Sequence, residues 1–184
     1  MKYKTREQWL QAGVAKLRKV IPGAYDVPVI RISCGFPKNA RGKHAIGQCW
    51  YTAEDGVCQV FVSPELNDAV RIMDVVLHEV GHAILGGAVG HKKEFKRYMD
   101  AVGLEGLATA TKAGEGLKKK LEVMTQQLGA YPHSRLTAKA GSKKQTTRLK
   151  KVACLCGYTV RVTQKWIDVG LPTCCCGNEM MEVM

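Results

Sequence analysis

Residues 78–82 read His-Glu-Val-Gly-His. Apolar side chains recur three and four positions apart around this stretch, which predicts a helix over about residues 68–85. Positions i and i+4 of a helix lie on one face, so the imidazoles of His78 and His82 are placed to reach one ion. Neutral imidazole is a good ligand for zinc. The stretch therefore predicts a zinc site on a helix.

A catalytic zinc ion usually has three protein ligands and keeps a fourth position open for water. His91 is the best-placed third ligand, because Gly86-Gly87 ends the first helix and a second helix is predicted over about residues 91–102. An imidazole at the start of that second helix is able to point back at the metal. The carboxylate of Glu94 and other groups remain alternatives.

Glu79 directly follows the first predicted ligand. Its carboxylate is placed to hold and deprotonate a zinc-bound water rather than to bind the metal. We therefore expect Glu79 to be the catalytic residue of a hydrolytic site in which His78, His82 and His91 hold the catalytic zinc.

The remainder of residues 1–136 predicts an α+β fold. Strands are predicted over residues 27–33, 46–51 and 57–63, and further helices over residues 5–20 and 114–128. Asp55-Gly56 is a hairpin signal between the last two strands. Ser63, Asn67 and Asp68 are equal candidates for the N-cap of the histidine-bearing helix.

The chain is strongly basic. It has 184 residues, with 28 Lys and Arg against 16 Asp and Glu, and a formal net charge of +12. Residues 132–167 contain nine of the basic side chains and no acidic one. Such a run concentrates positive potential and favours a polyanion such as nucleic acid as partner. The alternative is a solvated basic surface that only keeps the protein soluble.

Five of the eight cysteines lie between Cys154 and Cys176, and crowding of this kind in a reducing compartment indicates a metal site. Two Cys-x-Cys-Gly turns flank a stretch that alternates like a strand, which predicts a zinc ribbon closed by four thiolates. The usual spacing is Cys-x-x-Cys, so the register at residues 174–176 is open. We favour Cys154, Cys156, Cys174 and Cys176 as ligands of a structural zinc, with Cys175 spare. Free thiols or a redox pair are the alternatives, and Cys34, Cys49 and Cys58 are predicted to be core residues.

The histidine motif, followed by Gly90-His91 and then an aromatic residue at Phe95, resembles the SprT-like family of metallopeptidases, which includes the Spartan-type proteases that act on DNA–protein crosslinks. The likeness extends over roughly residues 30–184. Further segments resemble a phage and bacterial branch of this family: Ser33–Pro37, Tyr131–His133, Lys144–Leu149 and the cysteine module.

The resemblance implies a zincin-type core, with the metal helix beside a small, mainly antiparallel sheet, over residues 1–136. A basic linker at 137–147 and a C-terminal zinc ribbon at 148–184 would follow. It implies peptide hydrolysis by a Glu79-activated, zinc-bound water, with one catalytic and one structural zinc ion. Candidates for a second oxyanion donor are Tyr98, Tyr131 and His133.

The family likeness and the charge together predict that the substrates are DNA-bound proteins and that the linker and ribbon bind DNA. Arg148, Lys150, Lys151, Arg161 and Lys165 are candidate phosphate contacts, with Tyr158 and Trp166 available to stack on bases. Packing of Trp166 against the zinc module is the alternative. A DNA-binding or transcription-associated factor with a structural, non-catalytic histidine zinc is the rival function.

No stretch of about 20 uncharged apolar residues is present, so neither a spanning helix nor a membrane partner is predicted. The first residues lead into no apolar run of the secretory type. We expect the protein in the cytoplasm of a bacterium, or of the host if it is phage-encoded.

Overall fold

A computed structural model describes residues 2–37, 45–51, 53–137 and 149–183. The chain divides into two units, Met1–Ala138 and Lys139–Met184. The predicted linker at 137–147 lies outside the described residues except for Thr137, and Arg148 lies outside them as well. The predicted domain limits at 136 and 148 stay predictions.

The described part of the first unit consists of four helices and five short strands. In chain order they are α1 (Arg6–Leu17), β1 (Ile30–Cys34), β2 (Gly47–Trp50), β3 (Cys58–Val62), α2 (Ala69–Leu85), α3 (Lys93–Val102), β4 (Leu104–Leu107), β5 (Ala110–Ala113) and α4 (Glu115–Leu128). The mixed α+β class is confirmed. None of the described helices is long and apolar enough to cross a membrane.

Helix α2 carries the histidine motif. Its N-cap is Asp68, whose carboxylate accepts a hydrogen bond of 2.6 Å from the backbone N–H of Arg71. The helix ends at Gly86, whose φ of 79° favours glycine. The apolar stripe predicted from the spacing faces the core, with Met73, Leu77 and Val80 all buried. One face of α2 is thereby held by packing, and this sets where the other face points.

A three-stranded sheet, in the order β1-β3-β2, packs beside α2. Strands β2 and β3 pair antiparallel, as the Asp-Gly signal predicts, but β1 pairs parallel to β3. The prediction of a mainly antiparallel sheet is therefore wrong for one of its two pairings. A hairpin signal is local, whereas the pairing of β1 with β3 depends on where a long connection places two distant segments.

A second hairpin, which the sequence did not predict, connects α3 to α4. Its strands β4 and β5 pair antiparallel, and it begins after Gly103, which has a φ of 85°. Residues 104–113 contain three alanines and few large apolar side chains, so the alternation that marks a strand is weak. Strand β5 packs against α2 and so belongs to the surroundings of the histidines.

The second unit is a small antiparallel sheet with one short helix. Its described elements are β6 (Leu149–Ala153), β7 (Thr159–Thr163), α5 (Gln164–Val169) and β8 (Met181–Glu182), and its strand order is β7-β6-β8. The buried apolar residues described there are Val152, Cys154, Cys174 and Met180. So small a cluster cannot offset the conformational entropy of residues 149–183 without a further staple.

A substitution at Gly81 tests how tightly α2 packs against α3. A Cβ at this position would overlap the ring of Tyr98, which is fully buried and has little room to move. Gly81→Ala should therefore lower the free energy of unfolding by roughly 1–3 kcal/mol, although alanine is the better helix former by about 1 kcal/mol. Urea unfolding followed by far-ultraviolet circular dichroism measures the change, since the long helices lie in the first unit.

The matched control is Gly116→Ala in α4, where nothing lies within 4 Å of an added Cβ. Helix propensity alone acts there, and stability should rise by up to about 1 kcal/mol. A midpoint for Gly81→Ala at or above that of the wild type would contradict the packing argument.

Candidate functional site

Three imidazoles converge on one point beside α2. His78 and His82 lie one turn apart on that helix, and His91 lies in the turn that precedes α3. Their Nε2 atoms are separated by 3.2 Å (His78 to His82), 3.1 Å (His82 to His91) and 3.3 Å (His91 to His78). The structure thus brings together the three histidines predicted as ligands. The alternative ligand, Glu94, is exposed and lies outside this group.

These separations fit a metal ion. A tetrahedral zinc ion with Zn–N bonds of about 2.0–2.1 Å holds two nitrogen ligands about 3.3–3.4 Å apart. The three Nε2 atoms are 3.1–3.3 Å apart, just inside that spacing. Lone pairs so close repel one another unless a cation lies between them. The group is therefore able to hold a metal ion, and a set of neutral imidazoles suits zinc.

Phe95 packs against all three imidazoles and is itself fully buried. Its ring stacks on His82, with centroids 4.2 Å apart and an interplanar angle of 18°. It meets His78 and His91 edge-on, with centroids 4.8 Å and 5.1 Å away. The aromatic residue that follows the Gly-His pair in the sequence thus restricts the rotation of every ring in the group.

Burial lowers the pKa of His78 to about 3 and that of His82 to about 4, and it also lowers the pKa of His91. Neighbouring imidazoles lower the pKa of His78 and His82 further, because two positive charges so close would repel. All three rings are therefore neutral at pH 7, and each has a lone pair to offer a metal.

Glu79 lines the same cleft and lies in the helical turn of α2 between His78 and His82. Its side chain is 7% exposed, and burial raises its pKa to about 8. A cation on the histidines would oppose this shift and favour the carboxylate. Gly47 of β2 makes room for it, because a Cβ there would lie 2.5 Å from Oε1 of Glu79. Strand β2 is therefore able to lie this close to the carboxylate only because residue 47 has no side chain.

The cleft has a volume of about 600 Å³ and is lined by α2, β2, β5 and the turn that carries His91. All four predicted site residues of the first unit line it. Residues that the sequence did not assign to the site line it too, among them Gln48, Cys49, Tyr51, Arg71 and Thr111. No motif marks these five, because their exposure to the cleft depends on how β2, the residue after it, α2 and β5 pack.

The three predicted oxyanion donors do not belong to the described lining of the cleft. Tyr98 is fully buried and donates its hydroxyl to the carbonyl oxygen of Leu77 at 2.9 Å. Tyr131 packs edge-on against Trp9, with ring centroids 5.0 Å apart, and His133 is exposed on a turn. Tyr51 is the tyrosine that the structure places in the described cleft wall.

Contacts with Arg6 of α1 hold the Tyr131-Pro132-His133 segment in place. Its guanidinium donates to the carbonyl oxygens of Pro132 and Ser134 and lies 5.6 Å from the centroid of the Tyr131 ring. Arg6 itself is only 9% exposed. The segment is therefore fastened to α1, and its three residues do not belong to the described lining of the cleft.

Four cysteines of the second unit form the other candidate metal group: Cys154, Cys156, Cys174 and Cys176. The Sγ atoms of Cys154 and Cys176 are 3.4 Å apart, and those of Cys156 and Cys174 are 3.5 Å apart. A tetrahedral zinc with bonds of about 2.3 Å separates its sulfurs by about 3.8 Å. The group is therefore able to close around one ion.

The two cysteine turns have the same backbone geometry. The N–H of Gly157 donates to the carbonyl of Cys154 at 2.9 Å, and that of Gly177 donates to Cys174 at 2.9 Å. Both glycines have positive φ, at 93° and 85°. This tight turn is how a Cys-x-Cys-Gly sequence brings two thiols to one side, and it leaves Cys175 exposed outside the group.

The remaining cysteines, Cys34, Cys49 and Cys58, are half-buried. Cys34 and Cys49 pack against the core, as predicted, and Cys49 also faces the cleft. Burial raises the pKa of its thiol to about 12, so the thiol stays protonated and is a poor ligand beside the histidines.

The second unit exposes aromatic and basic side chains together. Trp166 is 58% exposed and Tyr158 is 52% exposed, so packing of Trp166 inside the zinc module is not observed. The ammonium of Lys165 lies 5.2 Å from the ring centroid of Trp166. Lys150 instead pairs with Glu182 at 2.5 Å, while Lys151 and Arg161 are exposed.

Comparison with known protein families gives a match to part of the chain. The family described as the SprT-like family matches residues 24–115, a range that contains the sheet, α2, α3 and all three histidines. Searches of curated proteins and of solved structures each found nothing that matches the chain.

Metal content gives a direct test of the histidine group. His82→Ala should remove one of two zinc equivalents per chain, because two imidazoles alone form an incomplete and weaker site, whereas the four thiols are untouched. Inductively coupled plasma mass spectrometry on the purified protein measures the ratio. His133→Ala, which changes an exposed histidine outside the group, should keep both equivalents. Equal zinc content in His82→Ala and the wild type would refute metal binding by the histidines.

Proposed function

The chain belongs to the SprT-like family, and on that premise we propose that it is a zinc-dependent metallopeptidase. The observation that carries the proposal is the convergence of three Nε2 atoms beside the buried carboxylate of Glu79 in one open cleft. A structural zinc site is closed by four protein ligands, whereas this group offers three. The arrangement therefore favours catalysis over a purely structural metal in a DNA-binding factor. A zincin-type core is part of the same proposal.

Zinc at this site would supply a Lewis acid that polarises the scissile carbonyl and lowers the pKa of water toward about 7. Glu79 accepts a proton as the water oxygen bonds to the carbonyl carbon. The carboxylic acid then gives that proton to the leaving nitrogen as the C–N bond breaks, which yields a carboxyl group and an amine. Burial of Glu79 excludes bulk water from the carboxylate and keeps the proton on this path.

Tyr51 replaces the earlier candidates as a donor to the developing oxyanion. Its side chain lines the cleft, and its ring packs against the backbone at Gly87, where an added Cβ would lie 3.0 Å from the ring. Burial raises the pKa of the phenol, so the hydroxyl keeps its proton and is able to donate. The expected role is stabilisation of the oxyanion beside the metal.

We further propose that the substrates are proteins bound to DNA and that the second unit contacts the DNA. The support is the net charge of +12 and the exposed group of Tyr158, Arg161, Lys165 and Trp166 on one small unit. Exposed aromatic rings beside cations bind single strands by stacking on bases and neutralising phosphates. Such binding is salt-dependent and tolerant of sequence.

Proteolysis by Glu79→Gln tests the catalytic role. The amide cannot accept the proton, so the rate of cleavage of a basic DNA-bound protein should fall by roughly 10²–10⁴-fold while both zinc equivalents remain. Glu94→Gln is the control, since it makes the same change at an exposed position on the next helix. Wild-type activity in Glu79→Gln would contradict the mechanism. The absence of cleavage by zinc-loaded wild type, with and without DNA, would favour the binding-factor function.

Trp166→Ala tests the DNA surface. Loss of one stacking ring should weaken binding of a fluorescent single-stranded oligonucleotide by roughly 5- to 150-fold, since one stacked base is worth about 1–3 kcal/mol. The slope of affinity against salt should not change, because no phosphate contact is lost. Leu155→Ala is the control, because it removes an apolar side chain that is 86% exposed on the same unit. Equal losses in the two variants would argue against stacking.

A further inference from the structure

We propose that Thr111 is a positioning residue for His78, acting through a hydrogen bond between its hydroxyl and Nδ1 of the imidazole. The proposal rests on metal binding by the three histidines, which is part of the proposed function. It does not depend on whether the site cleaves peptides. Thr111 lies 33 positions along the chain from His78, on a strand that no sequence pattern predicted.

The need for such a residue follows from the tautomer. His78 presents Nε2 to the other two imidazoles, so a metal there requires the neutral ring to carry its proton on Nδ1. Oγ1 of Thr111 lies 2.9 Å from Nδ1 and is able to accept a hydrogen bond from the Nδ1–H group. The bond favours the metal-binding tautomer and fixes the plane of the ring.

Among the three imidazoles, His78 is the one whose Nδ1 lies at hydrogen-bond distance from an oxygen of the described residues. Within the described part of the chain, Nδ1 of His82 and Nδ1 of His91 have no protein hydrogen-bond partner at this distance. His82 is instead stacked on Phe95 with an interplanar angle of 18°, whereas the ring of His78 is inclined by 64° to Phe95 and makes only an edge contact. Thr111 therefore adds a directional bond to the edge contact of Phe95, and the two together fix the orientation of the His78 ring.

Thr111 is itself held in place by α2. Its carbonyl oxygen accepts a hydrogen bond of 2.9 Å from Nη1 of Arg71, and the same nitrogen donates to Oδ1 of Asp74 at 2.7 Å. Oδ2 of Asp74 accepts from the backbone N–H of Ala113 at 3.4 Å. Two residues of α2 thus fasten β5 on both sides of position 112, one to two turns before His78 on the same helix.

Burial makes this arrangement rigid. Thr111 is 7% exposed and Asp74 is 4% exposed, so neither side chain has free access to bulk water as an alternative partner. A buried carboxylate is costly to leave unpaired, which favours the closed state of the Arg71, Asp74 and β5 contacts. The helix that carries the ligand therefore also fixes the group that orients it. The β4–β5 hairpin thereby places the Thr111 hydroxyl beside His78.

Thr111→Val tests the proposal, since valine keeps the shape of threonine and removes the acceptor. Zinc affinity at the histidine site should fall by roughly 10- to 100-fold, as is typical when the partner of a ligating histidine is lost. The full chain is titrated with zinc against a chromogenic chelator, and the histidine step is assigned as the one missing in His82→Ala. Thr111→Ser, which restores the hydroxyl, should return the affinity to within a few-fold of wild type.

Thr125→Val is the matched control. Thr125 is 8% exposed, and its hydroxyl donates to the carbonyl of Glu122 within α4 at 3.0 Å, so the variant loses an equally buried hydroxyl away from the histidines. It should keep wild-type affinity. Circular dichroism of the metal-free proteins checks that each variant folds, and Thr111→Ala replaces Thr111→Val if valine is not accommodated.

Three outcomes would overturn the proposal. Wild-type zinc affinity in the folded Thr111 variant that lacks the hydroxyl would show that the bond does not position His78, and the proposed peptidase would stand. An equal loss in Thr111→Ser would show that the side chain acts through packing instead. If His82→Ala retained the step, the histidines would not be the ligands, and that result alone would also remove the basis of the proposed function.

Discussion

The first unit is built around three imidazole nitrogens held within 3.3 Å of one another. Neutral nitrogens at this distance point their lone pairs at each other, and the contact is repulsive until a cation lies between them. The surrounding packing must supply the free energy that keeps them together. Phe95 does so by contacting all three rings, and the burial of α2 does so by fixing the face from which two of them project.

The two faces of α2 explain the residues between the histidines. Val80 is buried in the core, and Gly81 lies against the ring of Tyr98 with no space for a larger side chain. Glu79 lies on the cleft side and is approached by the backbone of Gly47. The proposed chemistry requires His78, Glu79 and His82, while packing in the core restricts Val80 and Gly81. One helix serves both purposes because the helical period places its apolar side chains and its two histidines on different faces.

The two units meet the cost of folding differently. The first buries a large cluster of apolar side chains around Trp9, Leu77 and Leu121, and is stable in the ordinary way of a globular domain. The second buries few residues and places four thiols at the bonding distance of one ion. Metal binding there would supply folding free energy. Tyr158 and Trp166 are accordingly not needed in a core, and both are exposed. Exposure of these aromatic rings costs little stability if metal binding, rather than their burial, stabilises the unit.

Local patterns predicted a large part of this protein. The amphipathic period predicted α2, and the Asp-Gly turn predicted the pairing of β2 with β3, because both signals involve residues close in the chain. The parallel pairing of β1 and the β4–β5 hairpin could not be predicted in this way. Their strands are short, and their partners or contacts depend on how whole elements pack.

The sequence by itself determined the donor chemistry. It supplied two histidines and a glutamate at helical spacing, a third histidine after the end of that helix, and four cysteines in two similar turns. Only the tertiary structure decided what surrounds those donors. It placed Tyr51 rather than Tyr98 in the cleft, and it brought the Thr111 hydroxyl to His78 from 33 positions away. Ligand spacing within one helix is a local property that a short motif can specify. The neighbours of a ligand come from distant segments, and their positions depend on the packing of the entire core.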